Sequence, residues 1–173
     1  MSTVSTRRKI TTKTIRARKG KTKITSLTAY DYPTAKLVDA ARVDVILVGD
    51  SLGMVVLGYP DTTHVTVDDM VHHTKAVSRA RPNGLLVADM PFLSFGVTRS
   101  ETILNAGRLI REGGAEAVKL EGGVRVKDDI RALVECQIPV MGHVGLTPQS
   151  VHHFGGFRVQ GKKDDDADQV VRD

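Results

Sequence analysis

The stretch Val45-Ile46-Leu47-Val48-Gly49-Asp50 is a short aliphatic run, rich in β-branched residues, that closes on a glycine and an acid. The same outline returns downstream as Leu85-Leu86-Val87-Ala88 before Asp89, Ala117-Val118 before Lys119-Leu120-Glu121, and Pro139-Val140-Met141-Gly142 before His143. Runs this short, separated by helix-length segments, have the pattern of buried parallel strands in βα units. Such folds gather reactive side chains at the carboxyl ends of their strands. Asp50, Asp89, Lys119, Glu121 and His143 are therefore expected to meet in one place.

Working outward, Ile24 to Ala29 alternates as a further strand, and Tyr30-Asp31-Tyr32-Pro33 opens a helix running to about Arg42. A second helix is predicted from Val67 to Arg81, introduced by Thr66 with Asp68 and Asp69 in its first turn. A third runs from Arg99 to Glu112, with Ser100 as cap and Gly113-Gly114 as stop, and a fourth from Val124 to Cys136. Gly122-Gly123 reads as a tight strand exit and Phe154-Gly155-Gly156 as a lid-like loop or a plain connection. Lys162-Lys163-Asp164-Asp165-Asp166 reads as a solvated charge run, and Asp168 to Asp173 as the opening of another helix. The chain thus reads as five strands with four crossover helices. An eight-unit barrel normally takes roughly 250 residues. With 173 residues, the expectation is either a smaller α/β fold or an incomplete barrel.

Composition narrows the function classes. The chain is 40% apolar, enough for a sizeable core, and carries a formal charge of +5. That charge is unevenly placed. Residues 1–23 hold nine Lys/Arg and no acid, which leaves 16 basic against 20 acidic residues in 24–173. The domain division expected is a basic leader, 1–23, followed by a mildly acidic single domain, 24–173. The leader has the composition of a solvated entry segment, a transit peptide or an anion-binding arm. Ile10, Thr14, Ile15 and Arg18 could form a turn or two of amphipathic helix that packs loosely on the domain. Only 4% of residues are aromatic and the body is acidic, which argues against nucleic-acid binding. No apolar stretch approaches the roughly 20 residues needed to span a bilayer. The single cysteine, Cys136, is expected to be a reduced core thiol.

Residues two apart on a strand share a face, so Lys119 and Glu121 project together. Asp50, Asp89 and Glu121 gathered without a cation would repel, and at least one pKa would rise; a hard divalent cation removes that conflict. Magnesium suits an oxygen-only donor set and leaves positions for a bidentate 2-oxo acid. Strand-end carboxylates also cap helices and satisfy loops, so spacing alone leaves both readings open. His72-His73 and His152-His153 are adjacent pairs without zinc spacing and are expected at the surface or in loops.

The strings Leu27-Thr28-Ala29-Tyr30-Asp31-Tyr32, Val48-Gly49-Asp50-Ser51-Leu52-Gly53-Met54 and Ala88-Asp89-Met90-Pro91-Phe92 resemble those of the ketopantoate hydroxymethyltransferase family. So do Val118-Lys119-Leu120-Glu121-Gly122-Gly123, the run from Gly142 to Ser150, and Gly155 to Lys162. Thr62-Thr63-His64-Val65 departs from that pattern in a loop. The resemblance implies a (β/α)8 TIM barrel of the pyruvate/phosphoenolpyruvate type, here truncated after about five units. It implies Mg2+ held by Asp50 and Asp89, with Glu121 completing the site directly or through water. Asp50, Ser51, Asp89, Lys119 and His143 would bind substrate. The implied reaction moves a hydroxymethyl unit from 5,10-methylenetetrahydrofolate to 3-methyl-2-oxobutanoate, through a Mg-stabilised enolate, giving 2-dehydropantoate for pantothenate synthesis. The family's glutamate base would lie beyond Asp173, so no catalytic residue is assigned within the chain. A cytoplasmic homo-oligomer, a decamer by likeness, is implied as well. The competing expectations are an inactive remnant and another Mg-dependent 2-oxo acid lyase or mutase of the same superfamily.

Overall fold

The computed structural model describes residues 7–173. In chain order the elements are α1 (Thr12–Ala17), β1 (Ser26–Thr28), α2 (Tyr32–Ala40), β2 (Val45–Val48), α3 (Leu52–Val55), α4 (Val67–Ser78), β3 (Leu85–Asp89) and α5 (Arg99–Arg111). There follow β4 (Ala117–Glu121), α6 (Lys127–Glu135), β5 (Val140–His143), α7 (Val151–Phe154) and α8 (Asp164–Arg172). The five strands form one parallel sheet in the order β1-β2-β3-β4-β5. A doubly wound sheet reverses its order at a switch point, whereas here each strand lies beside the next in sequence. Crossovers of one hand then put the helices on one side of the sheet. This is the winding of a β/α barrel over five consecutive units.

Strand alternation separates two apolar layers. Ile46, Val48, Leu86, Ala88, Val118 and Leu120 face the helices and pack with Val38, Met70, Val77, Leu109 and Leu133. Val45, Leu85, Val87 and Ala117 face the other way, into the barrel interior, with Leu47 and Met141 beside them. Continuing this second row by twos reaches Asp89, Lys119, Glu121 and His143, so one periodicity sets both the inner core and the site above it.

The leader is better anchored than the sequence suggests. Ile10 is buried in the inner layer with Ile15 of α1 against it, so this helix plugs the end of the barrel where the strands begin. Three of its basic residues have acidic partners: Arg7 reaches Asp39 at 3.5 Å, Lys9 reaches Glu116 at 2.6 Å, and Arg18 reaches Asp44 at 2.6 Å. Residues 1–6 of the expected leader lie outside the described residues.

Several local expectations are corrected. The cap of α5 is Thr98, whose hydroxyl accepts from the Glu101 N–H at 3.2 Å, and Ser100 is already inside the helix. The fourth helix begins at Lys127, because Gly123–Val126 forms a 3-10 turn after Gly122 and Gly123, both at positive φ. Cys136 is exposed: it caps α6 just before Gln137 turns left-handed at φ 62°, and Ile138 returns to the core in its place. Asp164–Asp166 is exposed but helical, forming the first turn of α8, where acids suit the helix dipole. Phe154 ends the short α7, with Gly155 left-handed at φ 65°. Both histidine pairs sit on helices, with His72, His152 and His153 at the surface as expected; only His73 is half-buried, its Nδ1 2.7 Å from the Tyr30 carbonyl. Thr66 does cap α4, in a reciprocal box with Asp69.

Candidate active site

Sheet register builds the site. Asp89 lies directly opposite Lys119, and Glu121 directly opposite His143. Their side chains share the inner face, and neighbours in register become hydrogen-bonded pairs. Lys119 Nζ donates to Asp89 Oδ1 at 2.6 Å and stands 3.8 Å from Glu121 Oε1. His143 Nδ1 lies 3.0 Å from that same Glu121 oxygen.

Asp50 joins from the turn after β2, where its backbone N–H donates to Asp89 Oδ2 at 3.1 Å. Gly49 permits this approach, since a Cβ there would stand 2.7 Å from Ser51 Oγ and 3.4 Å from Asp89 Oδ2. Ser51 Oγ is 2.9 Å from the Tyr30 hydroxyl at the end of β1. The site thus draws on the exits of all five strands.

Asp50 and Asp89 are each only 3% exposed, and Glu121 5%. Burial, then the Asp89 charge, pushes Asp50 up to about 7, against the pull of a hydrogen bond from Gln149. Asp89 also moves upward, because burial outweighs the Lys119 ammonium beside it. Burial works against the Lys119 charge, yet Asp89, Glu121 and Asp50 together outweigh it and raise its pKa. Three acids share one ammonium, and the shortfall of positive charge appears in the upward shifts of Asp50 and Asp89.

The residues expected together are together, but every carboxylate oxygen of Asp50, Asp89 and Glu121 except Asp50 Oδ1 faces a protein donor. Among the described residues no three His, Cys, Asp or Glu side chains are grouped to hold a metal ion as they stand. The Glu121 oxygens take His143 at 3.0 Å and the Gln149 backbone N–H at 3.1 Å. The expected three-acid cage is not assembled among the described residues, and Asp50 is linked to Asp89 through its backbone N–H. Sequence reasoning missed two residues. Gln149 bridges Asp50 and the Met90 carbonyl, and Tyr30 meets Ser51; neither carries charge, and neither follows an apolar run in a way that would flag it. A cleft of about 240 Å³, lined by Phe92, Phe95, Arg125 and Val126 among others, borders Glu121 and Gln149.

A parallel β/α barrel with buried acids at its strand exits defines a class of enzyme-like folds, and solved structures of that class match this chain. A phosphoenolpyruvate phosphomutase from Streptomyces platensis subsp. rosaceus superposes with TM-score 0.59 at 16% identity, over 74% of this chain and 51% of that one. A 2,3-dimethylmalate lyase of the PEP mutase/isocitrate lyase superfamily gives 0.55 at 19%, over 79% and 51%. A phosphonopyruvate hydrolase complex with oxalate and Mg++ gives 0.60 at 14%, over 86% and 62%.

Within that class, the chain belongs to the ketopantoate hydroxymethyltransferase family, whose model matches residues 9–173. The 3-methyl-2-oxobutanoate hydroxymethyltransferase of Geobacter sulfurreducens is 58% identical over 151 residues, 87% of this chain and 57% of the relative. That of Acetivibrio thermocellus is 60% identical over 87% of this chain and 53% of the relative. The chain spans little more than half the length of these curated relatives.

Proposed function

We propose that residues 7–173 form the ion- and oxo-acid-binding part of an enzyme that transfers a hydroxymethyl group from 5,10-methylenetetrahydrofolate to 3-methyl-2-oxobutanoate. The product would be 2-dehydropantoate, on the route to pantothenate. The observation that carries this reading is the buried Asp50–Asp89 pair on neighbouring strand exits, with Lys119 Nζ 2.6 Å from Asp89.

The donor set fits Mg2+. It is all oxygen, it offers two carboxylates, and it is short of positive charge, which suits an ion that keeps several waters and leaves room for a chelating substrate. Asp50 Oδ1 takes no hydrogen bond from the described residues, whereas Oδ2 is held by Gln149. Asp50 and Asp89 would hold the ion, with Glu121 acting directly or through a water. The solved relative of this fold with oxalate and Mg++ supports that choice. When bound, the ion supplies Lewis-acid stabilisation of the negative charge that develops on the oxo oxygen as the C3 proton leaves.

The chain's own residues account for the remaining tasks short of proton removal. Lys119, kept protonated by its acidic neighbours, offers a fixed positive charge to the substrate carboxylate or oxo group. Ser51, oriented by Tyr30, offers a hydroxyl to the oxo acid. His143 adds a polar edge at the mouth and holds Glu121 in place. No residue among 7–173 is assigned the role of base at C3. A cytoplasmic homo-oligomer acting on small molecules, without nucleic acid or membrane partners, belongs to the same proposal. No helix among the described residues is long and apolar enough to cross a membrane. A lyase or mutase reading has only fold likeness behind it, at 14–19% identity against 56–60% for the transferases.

Calorimetric titration of the 173-residue chain with 3-methyl-2-oxobutanoate tests this. Binding should require Mg2+ and be lost in Asp50→Asn. Equal binding in the presence of a chelator would refute the ion's role.

A further inference from the structure

We propose that Gln149 is the positioning residue that sets which oxygen of Asp50 is open to a cation; this rests on the reading above for the identity of the ion. Gln149 lies beyond β5, in a 3-10 turn from Pro148 to Ser150, and is only 7% exposed. Its Nε2 donates to Asp50 Oδ2 at 2.7 Å and to the Met90 carbonyl at 2.9 Å. Both partners are acceptors, so the amide has one workable orientation: turned over, its oxygen would face two oxygens. The Met90 carbonyl is backbone and cannot move aside, which gives the amide a fixed anchor. Asp50 Oδ2 is thereby committed to the protein and Oδ1 is left open.

The same residue also donates its backbone N–H to Glu121 Oε2 at 3.1 Å. Gln149 therefore ties the exits of β2, β3 and β4 to the loop after β5. That loop has its own fastenings, through Thr147 Oγ1 to Ser150 Oγ at 2.9 Å and His152 Nε2 to Asp61 Oδ2 at 3.2 Å. Losing the Gln149 side chain would accordingly leave the loop in place and release Asp50 and the Met90 carbonyl. Partners that orient a metal ligand in this way typically contribute about 10- to 100-fold in metal affinity.

The test uses the full chain, with Mn2+ as the probe and water-proton relaxation as the readout. Gln149→Met keeps the volume and removes both donors; Mn2+ affinity should fall about 10- to 100-fold, and the melting temperature without metal should also fall, because two buried acceptors lose their donor. Unchanged Mn2+ affinity, whatever happens to the melt, overturns the inference. A second measurement needs no variant of Gln149 and no metal. In ¹H–¹⁵N spectra the Gln149 side-chain amide should exchange far more slowly than that of exposed Gln137, and should shift in Asp50→Asn. An amide that exchanges like Gln137 overturns the inference. A protected amide in a chain that binds no Mn2+ would refute the proposed function and leave the orientation of Asp50 established.

Discussion

Two ion pairs of the same length sit at opposite ends of one sheet. Before β2, Arg18 meets Asp44 at 2.6 Å; at the exits of β3 and β4, Lys119 meets Asp89 at 2.6 Å. Their acids respond in opposite directions. Burial would raise Asp44, but Arg18 and both the N–H and hydroxyl of Thr25 outweigh it, and the pKa goes down. Asp89 goes up, because Lys119 is shared with Glu121 and Asp50 and burial prevails. Distance is thus a poor guide to what a pair does; the count of donors against charges decides. One end has donors to spare and holds the plug in place. The other lacks positive charge, and that deficit is the physical case for a cation.

Removing one lysine from each end should separate the two most widely. Lys119→Met takes away the ammonium shared by buried acids and should cost about 3–5 kcal/mol in metal-free urea denaturation. Lys9→Met breaks a pair with Glu116 whose side chains are 39% and 38% exposed, and should cost about 0–1 kcal/mol. Mg2+ should restore part of the stability of the first variant and none of the second. Equal losses would erase the distinction. Next in size is Ile10→Ala at the plugged end, expected to cost about 2–5 kcal/mol by opening the inner core. Mg2+-dependent binding of the oxo acid should be unchanged there, and a weakened affinity would show that the two ends are coupled.

The sequence and the structure agree along β3 and β4, where period-two alternation governs, and less along β1, which is only Ser26–Thr28 with Leu27 exposed. Asp89, Lys119 and Glu121 were legible because each continues a strand row whose earlier members are buried. Their pairing was not, since Asp89 opposite Lys119 and Glu121 opposite His143 depends on register between strands distant in sequence. Gln149 was illegible for a related reason: its partners Asp50 and Met90 lie 99 and 59 residues away, and an uncharged amide in a loop gives no local signal. Cys136 failed through backbone geometry, because the left-handed Gln137 turns the chain one residue after it. The anchoring of residues 7–18 was hidden because basic residues in a leader look solvated until their acids, Asp39, Asp44 and Glu116, come into place.

Glycines sharpen the comparison at smaller cost. A Cβ on Gly49 would meet Ser51 Oγ at 2.7 Å, and one on Gly84 would meet the Val43 carbonyl at 2.9 Å. Each substitution to alanine should cost about 1–3 kcal/mol through overpacking. Only Gly49→Ala should also weaken binding of Mg2+ and the oxo acid, because the atoms it displaces belong to the site. If Gly84→Ala weakened binding as much, backbone strain alone would explain the loss.

The pH dependence of metal-free stability is the most gradual effect, at most about 1.4 kcal/mol for each pH unit from each group. Asp50 is raised from 3.8 to about 7, so between those values the folded chain keeps a proton that the unfolded chain releases. Stability from this group is complete below the unfolded value and is lost as pH rises towards 7. Asp44 is lowered from 3.8, so its contribution is present above that value and disappears only as pH falls through the folded one. Thermal melts from pH 5 to pH 8 should therefore show a decline that Asp50→Asn reduces, with Asp89, also raised, carrying the remainder, and that Asp44→Asn leaves intact. Saturating Mg2+ should flatten the decline, because a cation on Asp50 replaces the proton that burial otherwise retains. A decline that persists unchanged in both Asp50→Asn and Asp89→Asn would place the charge deficit elsewhere in the molecule and remove the strongest physical reason for putting an ion at this end of the barrel.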